Sequence, residues 1–109
     1  MTVTELQSAL SLTPVALPEG DREVEGVYVG DLLSWVMGRA QSGNAWLTIM
    51  SNLNVVAVAT LSDVSCIILC EGVTLEESVR STAEAKGVNI LTTEAPAYET
   101  AKRLAELGL

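Results

Sequence analysis

The chain has no histidine and no phenylalanine, only two cysteines, and six basic residues against fourteen acidic ones. Without histidine the commonest general base and metal ligand is gone, and with it Ser-His, Cys-His and zinc-histidine chemistry. Cys66 and Cys70 lie in one apolar run, Val64 to Cys70. As a strand, that run would place both on one face but about 13 Å apart, beyond disulfide reach. They are read as core thiols. Arg22, Arg39, Arg80, Lys86, Lys102 and Arg103 form no run. With a net charge of -8, this scatter argues against nucleic-acid binding, which rests on clustered cations. The longest apolar stretch, Val55 to Leu61, is interrupted by Thr60 and falls far short of the roughly 20 residues of a membrane span. A basic-then-apolar secretory signal is also missing. The expectation is a soluble, cytoplasmic chain with no nucleic-acid or membrane partner.

Enzyme signatures are absent too. The sequence has no G-x-x-x-x-G-K-[ST], no G-x-G-x-x-G and no G-x-S-x-G, which removes the phosphate cradle and the nucleophile elbow. Glu76 and Glu77 are adjacent, so on a helix they do not face each other and read as first-turn charges. Asp31 and Asp63 are the carboxylates to watch, each with a simpler reading as a cap or turn. The expectation is a non-catalytic protein with no metal and no cofactor.

What is present is a globular composition, 49% hydrophobic and 18% charged over 109 residues, the length of one domain. Thr2 and Glu5 have capping-box spacing ahead of a short helix. Pro14 and Pro18 bracket an extended linker, and Val24 to Val29 alternates as a strand, with Val24, Gly26 and Tyr28 on one face. Asp31 is placed to cap a helix carrying Leu32, Leu33, Trp35, Val36 and Met37. Ala45 to Met50 reads as a buried strand. Asn52 or Asn54 can cap the next segment, Val55 to Leu61, whose valines leave helix and strand both open. Ser65 to Cys70 has the continuous apolar character of a parallel strand buried on both faces. Thr74 and Glu77 suggest a second capping box, with a helix to Lys86 and Gly87 beyond it. Val88 to Thr92 is a short strand, and Pro96 opens the last helix. Alternating strands and helices predict an α/β domain with a mainly parallel sheet of about four strands and helices on both faces. Residues 1–23 are then an N-terminal helix and linker, and 24–109 the α/β domain.

In such a sheet ligands bind beyond the carboxyl ends of the strands. The loops there hold Asp31, then Ser51, Asn52 and Asn54, then Gly72 and Thr74, then Thr93. Several lead into helix N-termini, where free N–H groups favour an anion. These seven residues are the candidate ligand site, for a small anionic ligand such as a nucleotide. Ordinary capping is the competing reading for each of the polar ones.

The ordered set Val29-Gly30-Asp31-Leu32-Leu33-Ser34, Asn54 to Ala59, Asp63, Glu71-Gly72, Ala83 to Thr93 and Tyr98 to Ala101 resembles the core of DRTGG domains, from about Val24 onward. Such domains accompany the kinase domain of HPr kinase/phosphorylase, occur in long phosphotransacetylases and with CBS domains, and stand alone near iron–iron hydrogenase genes. The chain is most similar to the short stand-alone members. The Asp-Arg-Thr-Gly-Gly string itself is missing; Ser51-Asn52-Leu53-Asn54 occupies that loop. The resemblance implies a regulatory module that dimerises and senses a ligand, without the P-loop kinase. The alternative is a structural partner subunit of a metabolic or iron–sulfur system with no small ligand. Trp35, Trp46 and a mean hydropathy of +0.36 suggest more apolar surface than one core needs, and hence a homo-oligomer or a protein partner.

Overall fold

The Thr2–Glu5 capping box forms: Thr2 Oγ1 accepts the Glu5 N–H at 3.1 Å, and Glu5 Oε1 accepts the Thr2 N–H at 2.8 Å. It opens α1 (Val3–Leu10), whose Val3, Leu6 and Leu10 are buried. The computed structural model describes residues 1–109. After α1 come β1 (Thr13–Ala16), β2 (Val27–Val29), α2 (Leu33–Arg39), β3 (Ala45–Thr48) and α3 (Asn54–Ser62). The chain continues through β4 (Cys66–Leu69), α4 (Glu77–Lys86), β5 (Ile90–Thr92) and α5 (Ala97–Glu106).

The sheet has five strands in the order β1-β5-β4-β3-β2. β2 to β5 are parallel, and β1 runs antiparallel to β5. The fifth strand corrects the sequence expectation. The segment that reads as a linker is extended, but it pairs, with Thr13 opposite Thr92 and Pro14 opposite Leu91. Proline lacks a donor and so is confined to an edge, where Pro14 sits. β2 is shorter than the alternation of Val24 to Val29 suggests. Gly26, at φ +145°, turns the chain and resets the alternation. Val24 and Val27 thus face one side of the sheet and Tyr28 the other.

Alternation along the buried strands divides the core into two layers. Trp46, Ile67, Leu69 and Ile90 pack under α2, α3 and α4. Ala45, Leu47, Cys66, Ile68 and Leu91 pack under α1 and α5. The valine-rich segment is helical because four of its residues, Val55, Val56, Val58 and Ala59, are buried against this sheet; tertiary burial outweighs a weak local propensity.

Asp63 ends α3 in the left-handed region at φ 56°. Its carboxylate accepts from the Ser42 hydroxyl and from Arg22 Nη2 at 2.7 Å, while Arg22 also reaches the Asp63 carbonyl at 2.6 Å. The Ser42 hydroxyl and then the Arg22 guanidinium hold the Asp63 carboxyl below its ordinary value. A lowered folded pKa means stability present above the unfolded value, about 3.9, and lost as pH falls through the folded one. Asp63→Asn, which tolerates the same backbone, is therefore expected to be less stable than wild type at neutral pH and equal to it in acid. Because the pair is largely exposed, the difference should stay within about 1 kcal/mol. Urea midpoints across the acid range measure it, and a gap that persists in acid would contradict the assignment.

Candidate functional site

The four parallel strands end on one edge of the sheet, and β1 begins there. Asp31 leaves β2 at this edge. It does not cap α2, as its position suggests; Leu32 holds the cap position without a side-chain bond. Instead Asp31 Oδ1 accepts from the Thr48 hydroxyl at 2.8 Å and the Ile49 N–H at 3.0 Å. The carboxylate lashes the end of β2 to the end of β3, whose free donors claim it in place of the helix. After β3, Asn52 Oδ1 accepts the Asn54 N–H at 3.0 Å and starts α3. Ser51 and Asn52 belong to this loop and Asn54 opens α3; none of the three lines the cleft formed further along the edge.

That cleft, about 260 Å³, lies between β1, β5 and the β4–α4 loop. Of the residues singled out in the sequence, Gly72, Thr74 and Thr93 meet there. Thr74 does so because it caps nothing. α4 starts three residues later, with Glu76 at its cap position and no side-chain cap bond. The chain must first cross β5, and Glu71 and Gly72 turn it with consecutive left-handed residues at φ 65° and 72°. The turn is pinned by the Glu71 N–H on the Ala95 carbonyl at 2.9 Å and the Gly72 N–H on the Thr93 carbonyl at 3.0 Å. Glu71 carries no glycine's freedom, so this is local strain at the carboxyl edge of the sheet. A Cβ on Gly72 would stand 2.5 Å from Glu94 Oε2, so glycine is what lets that carboxylate lie across the loop.

Sequence reasoning misses Thr13, Val15, Leu75 and Thr92; with Val73 and Glu94, which lie in the loops of Gly72 and Thr93, they complete the cleft. Thr13 and Val15 become visible only once β1 pairs with β5. Glu94, next to Thr93, carried the one usable signal, a carboxylate in a carboxyl-edge loop. No lysine or arginine lines the cleft. Arg22 and Arg80 are held by Asp63 and by Glu77, and Arg39 stacks on Trp35 at 3.6 Å. The cleft therefore offers hydroxyls and one carboxylate beside the apolar Val15, Val73 and Leu75, a set whose polar part is suited to hydroxyl and amino donors on a ligand. No group of three or more Asp, Glu or Cys is placed to hold a metal ion. Burial pushes the Cys66 thiol up to about 12, which removes it as a nucleophile.

The sequence profile of the DRTGG domain matches residues 16–107. The chain belongs to the DRTGG domain family. No curated protein matches it at the sequence level. Among solved structures, it is similar to the CBS and DRTGG domains of the regulatory region of Clostridium perfringens pyrophosphatase, complexed with its activator, diadenosine tetraphosphate. The superposition has a TM-score of 0.73 at 14% identity and covers 94% of this chain but 45% of that one. The likeness establishes the fold, and the DRTGG chain spans less than half of its neighbour's length. No helix of this DRTGG domain is long and apolar enough to cross a membrane.

Proposed function

We propose that this DRTGG domain is a non-catalytic, ligand-sensing regulatory module whose ligand is a nucleotide held at the carboxyl edge, with its nucleoside in the threonine cleft. The observation that carries the reading is the lining: Thr13, Thr74, Thr92 and Thr93 with Glu94, beside the apolar Val15, Val73 and Leu75, and no cation. A phosphate gains nothing beside Glu94, whereas ribose hydroxyls and a base amino group find acceptors. At about 260 Å³ the cleft lies below the roughly 300–1,000 Å³ of drug-sized pockets, so it suits one nucleoside, not a whole dinucleotide. The loop holding Ser51 and Asn52, with Asn54 at the start of α3, follows β3, two strands from β5, roughly 10 Å at the usual strand spacing. A polyphosphate leaving the cleft spans that distance, and Asp31 braces the loop's base. The nucleotide activator of the pyrophosphatase regulatory region supports the ligand class.

Thermal denaturation with adenosine, AMP, ATP and diadenosine tetraphosphate tests this. At ligand 100-fold above Kd the stabilisation should be about 2.7 kcal/mol, a rise of several degrees in Tm. Thr93→Trp, which fills the cleft at a partly exposed position, should fold and lose the response. If none of the four ligands raises Tm, or Thr93→Trp keeps the response, the assignment fails.

A further inference from the structure

A hydroxyl donates or accepts as its ligand requires, so the threonines of the cleft are indifferent to which base they meet. A carboxylate only accepts, so Glu94 is the one side chain there that imposes a sign. It is exposed, and none of the ion pairs of the chain holds it. Both of its oxygens lie over Gly72, 2.5 and 3.6 Å from where a Cβ would stand. The missing side chain thus lets the carboxylate settle against the turn that leads into Val73. Two of the hydroxyls, by contrast, are already engaged. Thr93 Oγ1 accepts the Ala95 N–H at 3.2 Å, and Thr92 Oγ1 donates to the Thr13 carbonyl at 3.5 Å.

The apolar lining decides which part of a nucleotide meets this acceptor. Val15, Val73 and Leu75 are half-buried in the cleft, and the base is the part of a nucleotide with apolar faces. Proteins read an unstacked base by packing on its faces and by hydrogen bonds to its Watson–Crick edge. The common bases differ at that edge. Guanine presents two adjacent donors, N1–H and the N2 amino group. Adenine and cytosine present one amino group beside a ring nitrogen that only accepts. Uracil presents one N–H between two carbonyls. Guanine alone gives each oxygen of a carboxylate a donor, whereas adenine sets a lone pair against one of them.

We infer that Glu94 reads the base and selects guanine, so that the ligand of this module is a guanine nucleotide. The inference rests on the nucleotide reading of the cleft and adds the base to it. An adenine nucleotide still enters, through its ribose and one amino group, but binds more weakly. A hydrogen bond to a charged group is worth roughly tenfold or more in affinity, and solvent around the exposed Glu94 keeps the selection near the lower end. At 14% identity the pyrophosphatase region establishes the fold; the base preference is set by the side chains of this cleft.

Calorimetric titration of the full chain with GMP, IMP and AMP reads it, since the three differ only in the base. GMP should bind about tenfold more tightly than AMP. IMP, which keeps N1–H and lacks the amino group, should fall between them. Glu94→Gln places a donor beside an acceptor, the pattern that the edge of adenine matches, so AMP should then equal or exceed GMP. Position 94 is exposed, and the variant should keep the wild-type far-ultraviolet spectrum. If none of the three binds, the nucleotide reading falls and the guanine assignment with it. Equal affinities for the three overturn the guanine assignment and leave the nucleotide reading standing. A preference for GMP that survives Glu94→Gln overturns the role of Glu94.

Discussion

Trp46→Ala should remove a large share of the stability of the molecule. Trp46 is fully buried on the central strand β3, in the layer beneath α2, α3 and α4. Its Nε1–H donates to the Gly30 carbonyl at 2.9 Å, tying β3 to the chain leaving β2. Truncation of a buried tryptophan costs about 3–5 kcal/mol through lost burial and the cavity left behind. The stranded carbonyl adds about 1 kcal/mol, against a total of roughly 5–15 kcal/mol for a domain of ordinary stability. Trp46→Phe keeps much of the volume and loses the bond, so it should fold with a smaller deficit. Urea denaturation followed by circular dichroism separates the two. An alanine variant within about 1 kcal/mol of wild type would show that this layer repacks, which the close-packed valines of α3 argue against.

The second large effect is expected at Asn89, 1% exposed and silent in the sequence. Its Oδ1 accepts the Glu19 N–H at 2.9 Å, and its Nδ2 donates to the Glu19 carbonyl at 2.8 Å and the Ser65 carbonyl at 2.9 Å. The Ser65 hydroxyl in turn donates to the Glu23 carbonyl. One amide thus fastens the segment between β1 and β2 to the starts of β4 and β5. Asn89→Leu has similar volume but forfeits all three bonds, for a loss of about 3 kcal/mol at roughly 1 kcal/mol each. Asn89→Asp is more informative. It turns a carboxylate toward two carbonyl oxygens, so the neutral form is favoured and the folded pKa is raised. With a raised folded pKa, the folded state binds more protons than the unfolded one, and stability falls as pH rises. The variant should therefore gain stability on mild acidification, opposite in sign to the contribution of Asp63. Urea midpoints against pH check both, and an Asn89→Asp curve parallel to wild type would mean that the amide bonds carry little.

Those signals that were local proved legible. The Thr2–Glu5 box, the continuous apolar run of β4 and Gly87 in the left-handed region at the end of α4 depend on neighbours in sequence. The parallel α/β architecture and the gathering of Gly72, Thr74 and Thr93 follow from chain alternation and the hand of crossovers. What escaped depends on partners far along the chain. β1 is a strand because β5 lies beside it; four residues including Pro14 announce no strand alone. Asp31 and Thr74 have the spacing of caps. In the fold, the free donors of β3 claim Asp31, and the path across β5 draws Thr74 out of the helix into the cleft. Asn89 looks like any polar residue before a strand until Glu19 and Ser65 arrive from 70 and 24 residues away. The tryptophans divide likewise: Trp46 is fully buried, while Trp35 is 53% exposed beneath Arg39.

The two-layer core also gives each layer its own built-in reporter. Cys66 and Cys70 both lie beneath α1 and α5, and Trp46 lies on the opposite side of the sheet. Alkylation of the thiols by a reagent in solution requires α1 or α5 to lift away. Quenching of the buried indole, read against the constant background of Trp35, requires α2, α3 or α4 to open. Comparing the two rates under native conditions would show whether this small domain comes apart as a single cooperative unit or sheds one helical layer first.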